Sequence, residues 1–275
     1  MRVGRHDVGA IGLGTAQFAF RTDLTAERSI AAIRSAVDQG VRLIDTALAY
    51  TRRDEPSTAE TLVRQALQRD GDENAVLVAT KGGHYRTGDA FPIDGRPEAL
   101  RAHCDASLTA LGLERIGLYQ LHWVDPSVPL RESIEALRDL QDEGKIELIG
   151  LSNIDEQQLD EARAITSIAA VQNKLSVHSP QDLPLAKLCA SLEIAYLAYM
   201  PLGGSGPAPS AGSRASTEVA LRHGVSWQQV ALAWLLLQPN VIPLVGSSRP
   251  GSMADSLRAE GLRLLEEDLE LLPSS

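Results

Sequence analysis

"AIGLGTAQ", residues 10–17, is the stretch on which the fold turns. It opens as a short apolar run and carries Gly12 and Gly14 at the spacing that begins a dinucleotide-binding turn. That fingerprint, G-x-G-x-x-G after the first strand of an open doubly wound sheet, needs its third glycine so that the helix can pack closely on the strand. The third position here is Gln17, and no G-K-[ST] phosphate loop occurs anywhere in the chain. The open sheet, the next best fold, therefore loses its main support.

Working outward from this run, seven more follow. They are "RLI" (42–44), "AVLVA" (75–79), "IGLYQL" (116–121), "IELIGL" (146–151), "IAAVQ" (168–172), "IAYLAY" (194–199) and "VIPLV" (241–245). Short continuous runs of Ile, Val and Leu are the mark of parallel strands buried on both faces. Helical stretches separate them. In 25–40, Thr25 is placed to cap the helix, Ile30, Ile33 and Val37 form its stripe, and Gly40 stops it. Residues 130–145 repeat the design, with Ile134, Leu137 and Leu140 inward and Gly144 at the end. The periodicity predicts further helices at 58–69, 97–111, 155–164, 182–192, 226–238 and 263–272. Eight strand–helix alternations without a linker predict one (β/α)₈ barrel over residues 1–275.

Composition narrows the partners. The 275 residues carry 26 basic and 36 acidic side chains, a net charge of −10, which argues against nucleic acid and anionic membrane surfaces. No run of 18 apolar residues occurs, so no membrane span is expected. Cys104 and Cys189 lack disulfide or metal-site spacing and read as reduced core thiols. The uncharged segment 8–20 follows Arg2 and Arg5 as a signal peptide would. Its glycines, with Thr15 and Gln17, suit a strand and turn better, so the expected compartment is the cytoplasm.

In a barrel, polar residues at the C-terminal strand ends are the site candidates. They are Asp45 with Tyr50 just beyond, Thr80-Lys81, His122-Trp123, Ser152-Asn153, Gln172-Asn173, Tyr199 and Gly246-Ser247-Ser248-Arg249. An ionised Asp45 at the end of a buried strand needs a partner, and Lys81 on the next strand is the candidate. The short "TALA" segment (46–49) can return Tyr50 to the same rim. A Tyr titrates near 10 when unperturbed, and a neighbouring ammonium favours its phenolate, making it a stronger acid. A His can hydrogen-bond an incoming carbonyl oxygen. Such a set is a general acid facing a carbonyl; G-x-S-x-G, H-E-x-x-H and metal spacings are all missing from the sequence. Protonating the oxygen leaves the carbon needing a hydride that no side chain supplies, which implies a nicotinamide cofactor.

Seven segments together resemble the aldo-keto reductases: "GLGTA" (12–16), "RLIDTALAY" (42–50), "ATKGG" (79–83), "LHW" (121–123), "GKIELIGLSN" (144–153), "VQN" (171–173) and "AYMPLGG" (198–204). The resemblance covers essentially the whole chain. It implies a catalytic tetrad of Asp45, Tyr50, Lys81 and His122: Tyr50 as acid in reduction, Lys81 modulating it, Asp45 partnering Lys81, and His122 orienting the substrate oxygen. It implies that Ser152, Asn153 and Gln172 read the nicotinamide carboxamide, that Tyr199 stacks on its ring, that Thr15 lies near its ribose, and that Asp45, Met200 and Leu202 line the cofactor. At the 2′-phosphate, the resemblance puts Gly246 where NADPH-preferring members carry a Lys or similar base, and Ser252 where they carry an Arg or Gln. Ser247, Ser248 and Arg249 remain as contacts, with Asp255 and Ser256 near the adenine. Arg249 suits a phosphate, so NADP(H) is favoured and NAD(H) stays open; a solvated Arg249 at the rim is the alternative.

The substrate is less legible. Trp123 and Tyr85 could stack on it, although Tyr85 could equally pack beneath its own loop (82–97). The loop 201–216 reads as a lid over the cofactor or as a surface connection. The resemblance implies a small carbonyl or alcohol substrate and favours a monomer. An NAD(P)⁺-dependent alcohol, sugar or pyridoxal-type dehydrogenase and a cofactor-sensing regulatory subunit are the rival readings.

Overall fold

Eight parallel strands close on themselves in the computed structural model, which describes residues 1–52, 55–68, 76–204 and 214–273. They are β3 (Gly12–Gly14), β4 (Leu43–Asp45), β5 (Leu77–Gly82), β6 (Ile116–Leu121), β7 (Ile146–Ser152), β8 (Ala170–Lys174), β9 (Ala195–Tyr199) and β10 (Val241–Gly246), with β10 pairing back to β3. Each apolar run of the sequence supplies one strand of the barrel. A hairpin that the sequence pattern did not reveal, β1 (Arg2–Val3) with β2 (His6–Asp7), precedes them. Its Val3 and the following Val8 join the buried cluster of Leu43, Leu77, Leu118, Leu197 and Leu244, so the hairpin plugs the N-terminal end of the barrel.

The helices are α1 (Ala16–Phe20), α2 (Ala26–Asp38), α3 (Thr58–Leu67), α4 (Pro97–Leu111), α5 (Leu130–Asp142), α6 (Glu156–Arg163), α7 (Leu183–Ser191), α8 (Arg214–His223), α9 (Trp227–Leu236), α10 (Pro250–Leu257) and α11 (Glu266–Leu269). Thr25 caps α2 as expected, its hydroxyl oxygen accepting from the Arg28 N–H. The helix expected at 263–272 shortens to the four residues of α11. There Asp268 is fully buried and ties the turn down, accepting from the Leu265 N–H at 2.8 Å and from Arg222 at 2.7 Å. Helices α1, α8 and α10 were not anticipated; α1, with five residues, is too short to display a period. The middle of the expected lid, 205–213, lies outside the described residues. No helix among the described residues is long and apolar enough to cross a membrane.

Side chains along a strand alternate between faces. On β5, Leu77 and Ala79 belong to the barrel-interior cluster, while Val78 belongs to the larger cluster between barrel and helices. The same alternation sends Lys81 inward and Thr80 outward. Applied to each strand, it places Gly14, Asp45, Lys81, Gln120, Ser152, Gln172, Tyr199 and Gly246 on the inner face, at or near the C-terminal end.

Candidate active site

Asp45 is 3% exposed and Lys81 is fully buried. The Lys81 ammonium donates to both Asp45 carboxylate oxygens at 2.8 Å and to the Thr46 carbonyl, also at 2.8 Å. The buried carboxylate thus meets the expected counter-charge on the adjacent strand. Burial alone would pull the Lys81 pKa down, but Asp45 and the Tyr50 phenol outweigh it, leaving the amine above its ordinary value and charged. Asp45 Oδ1 also accepts from Gln172 Nε2 at 2.7 Å and from Gln120 Nε2 at 3.4 Å. Gln120, fully buried on β6, is a site residue the sequence reading missed. Its signal was a lone amide inside an apolar run.

Lys81 Nζ lies 5.0 Å from the centre of the Tyr50 ring. Burial pushes the Tyr50 pKa up, the Lys81 ammonium pulls it back, and Asp45 adds a smaller push upward. The expected downward pull of Lys81 is present, yet burial outweighs it, so Tyr50 keeps its proton at neutral pH. The His122 ring stands edge-on to Tyr50 at 5.8 Å between ring centres, and edge-on to His84 at 5.0 Å. Burial, with Lys81 and His84 nearby, holds His122 well below the usual histidine pKa, hence neutral. Its Nδ1 is buried without a hydrogen-bond partner.

On the opposite side of the barrel mouth, Ser152, Asn153, Gln172 and Tyr199 form one network. Ser152 Oγ donates to the Gln172 carbonyl at 2.8 Å. Asn153, at a left-handed φ of 57°, donates to the His122 carbonyl at 3.0 Å and accepts from the Tyr199 hydroxyl at 2.7 Å. Thr15 is buried, and its hydroxyl donates to the Asp45 carbonyl at 2.9 Å, which braces the acid. Met200 is 46% exposed beyond Tyr199, and Leu202 is half-buried.

At the end of β10, Gly246 offers a cradle. A side chain there would meet only the Gln17 amide, whose Nε2 is buried without a partner 3.6 Å from the Cβ position. Ser247 Oγ donates to the Arg249 carbonyl at 3.0 Å, and Arg249 itself is exposed. Ser248 Oγ accepts from Arg21 at 3.2 Å, which adds a cation the sequence reading overlooked. Ser252 is half-exposed on α10, while Ser256 is buried, its hydroxyl donating to the Ser252 carbonyl at 3.0 Å. Asp255 accepts from Ser226 at 2.5 Å and Gln229 at 2.6 Å, so its carboxylate fastens the start of α9.

The aromatic wall differs from expectation. Trp123 stands 39% exposed at the mouth. Tyr85 is half-buried, its ring packed against His103 of α4 at 5.2 Å. Phe20 and Phe91 line the mouth instead. Phe20 meets Tyr50 and Phe91 edge-on, each at 5.9 Å, and Phe91 stacks on His84 at 5.9 Å. Phe20 and Phe91 are distant in sequence, so only the closed barrel reveals their contact.

Comparison with known proteins agrees with this geometry. The Aldo/keto reductase family model matches residues 10–274. The pyridoxine 4-dehydrogenase of Escherichia coli is 32% identical over 282 residues, spanning 98% of this chain and 96% of its own. A glycerol dehydrogenase from Gluconobacter oxydans superposes with a TM-score of 0.85 at 26% identity, covering 98% of this chain and 92% of that one. An aldo/keto reductase from Klebsiella pneumoniae, solved with NADP and acetate, gives 0.82 at 26% identity with the same coverage. The chain belongs to the aldo/keto reductase family.

Proposed function

We propose that this protein interconverts a carbonyl and an alcohol with NADP(H), Tyr50 serving as the acid in reduction. The observation that carries this reading is the buried Asp45–Lys81 pair set against the Tyr50 ring. The cradle fits the cofactor: Gly246 leaves room, the unpartnered Gln17 amide offers a donor, and Arg21, Ser248 and Arg249 stand nearby for a phosphate. When bound, the nicotinamide supplies or takes up hydride. Ser152, Asn153 and Gln172 would hold its carboxamide, with Tyr199 against the ring.

The chain's own residues handle the proton. Tyr50 is neutral at physiological pH and donates its hydroxyl proton to the developing alkoxide. The Lys81 ammonium, kept charged by Asp45, stabilises the phenolate left behind. Neutral His122 can donate one hydrogen bond to the substrate oxygen without adding a second cation beside Lys81. The rings of Phe20, Phe91 and His84 line the mouth beside Tyr50 and His122. In the oxidation direction the same groups run in reverse, with the phenolate as base.

Tyr50→Phe keeps the ring and removes the proton. We expect carbonyl reduction to fall by about 10²- to 10⁴-fold, the usual range for a positioned acid, with cofactor binding retained. Wild-type turnover in that variant would overturn the reading. A second reading, an NAD(P)⁺-dependent alcohol, sugar or pyridoxal-type dehydrogenase, is favoured by one observation: Gly246 and Ser252 carry no basic side chain, so positive charge near the cradle comes from Arg21 and Arg249. Fluorescence titration with NADPH and NADH tests the cofactor choice. Much tighter NADH binding overturns the NADP(H) choice, and the direction of flux is then read from turnover on carbonyl and alcohol substrates with each cofactor.

A further inference from the structure

Behind the catalytic pair lies a buried acid that no step above uses. Glu60 on α3 is fully buried, and its Oε1 accepts from the Thr80 hydroxyl at 2.6 Å. Thr80 is the residue before Lys81 on β5 and points outward, toward the helices. Glu60 Oε2 and the Ser107 hydroxyl of α4 are both buried and neither has a hydrogen-bond partner. A fully desolvated carboxyl is costly to retain, and a Leu would fill such a place more cheaply. Burial pushes its pKa up, against weaker downward pulls from Thr80, Ser107, Ser57 and Lys81. The other titratable groups beside it, Tyr119 and Cys104, are also buried, with pKa values pushed upward.

The same helix holds the catalytic tyrosine. The Ala59 N–H, one residue before Glu60, donates to the Tyr50 carbonyl at 3.0 Å. The first turn of α3 is also tied to the Tyr50 loop through Thr58 Oγ1, which accepts from the Arg52 N–H at 2.9 Å. Tyr50 is thus anchored to α3, Lys81 is carried by β5, and the Glu60–Thr80 hydrogen bond joins the two elements.

We propose that Glu60 is a positioning residue: through Thr80 it fixes how the end of β5 sits against α3, and so sets the placement of Lys81 relative to Tyr50. It touches neither substrate nor cofactor. The role explains why a hydrogen-bonding group occupies an apolar layer, and it rests on the assignment of Tyr50 as the acid. Glutamine keeps the length of the side chain and a carbonyl oxygen that can accept from the Thr80 hydroxyl as Glu60 Oε1 does.

Four variants test it: Thr80→Val, Glu60→Leu, Glu60→Gln and, in parallel, Tyr50→Phe. Misplacement by about 1 Å costs on the order of 100-fold, so Thr80→Val and Glu60→Leu should lose roughly 10- to 100-fold in kcat. Their NADPH dissociation constants should stay within about twofold of wild type, and the alkaline limb of the kcat–pH profile should move. Glu60→Gln should restore both turnover and profile. Thr80→Val is isosteric and keeps the test decisive even where Glu60→Leu fails to fold. A folded Thr80→Val protein with wild-type kcat and an unmoved alkaline limb, beside an inactive Tyr50→Phe, overturns the positioning role alone. An active Tyr50→Phe overturns the catalytic assignment and this inference with it.

Discussion

Replacing Asp45 by Asn is the sharpest probe of the site. Asp45 Oδ1 receives three donors, from Lys81, Gln172 and Gln120, while Oδ2 receives Lys81 alone. An Asn oxygen belongs in the three-donor position, which turns its NH₂ toward the Lys81 ammonium, donor against donor. One charge-assisted hydrogen bond is lost and a fully buried cation is left without its counter-charge. Breaking a buried pair from one side costs about 3–5 kcal/mol, and we expect that loss in urea unfolding at pH 7. The sign with pH follows from Lys81. In the wild type its folded pKa is raised, so its contribution to stability is present below the unfolded value and fades as pH rises through the folded one. In Asp45→Asn, burial instead favours the neutral amine, so the penalty relaxes as pH approaches the unfolded lysine value. The gap between the two proteins should therefore narrow from pH 7 to about pH 10. Adding Lys81→Met to the variant removes the stranded charge and should recover at least about half of the lost stability, because apolar replacement of a buried pair is often neutral or better. Activity should not return. A double variant no more stable than Asp45→Asn, or a gap that widens with pH, would refute the assignment of the cost to the buried ammonium.

Three further outcomes are expected. The reductive kcat should stay level from about pH 7 to about pH 9, because Tyr50 is held above its ordinary pKa and His122 well below its own; an inflection near 6.5 would contradict the neutral His122. Cys104 and Cys189 are fully buried, with thiol pKa values pushed up to about 12, so a disulfide reagent at pH 8 should label neither until the protein is unfolded. Gly82→Ala would place a methyl 2.0 Å from the Tyr119 hydroxyl, and overpacking of that kind costs about 1–3 kcal/mol; since Lys81 is the preceding residue, turnover should fall with stability.

The barrel was legible because parallel strands buried on both faces are written as unbroken apolar runs, and a polar residue ending such a run stands out. Asp45, Lys81, His122, Ser152 and Gln172 were visible for that reason. Gln120 was not, because a single amide within "IGLYQL" does not end its run. Glu60 was hidden for the opposite reason: on a helix, an acid reads as solvent-facing, and only the barrel wall behind it makes it buried. Phe20, at the end of α1, meets Phe91 of the 82–97 loop across a sequence separation that no periodicity encodes. Arg21 reaches Ser248 across 227 positions of sequence. Thr15, read as a cofactor contact, has a nearer duty in bracing the Asp45 carbonyl.

Asp45 joins the two halves of the site, and this gives a reason for the cost of burying it. Its Oδ1 holds Lys81 on the side proposed for proton transfer and Gln172 on the side proposed for the carboxamide. A neutral residue could satisfy Gln172 but could not keep a buried lysine charged. A carboxylate paired with Lys81 alone would leave Gln172 free to turn. With both bonds made, rotation of the acid disturbs Lys81 and Gln172 together. Residues in one hydrogen-bond network couple rather than add. Lys81→Met and Gln172→Leu should therefore be non-additive in turnover, whereas Lys81→Met combined with Arg249→Ala, at the far end of the cradle, should add within about 0.5 kcal/mol. Additivity of the first pair would show that the acid holds its two partners independently, and the physical reason for placing a charge at the end of a buried strand would reduce to Lys81 alone.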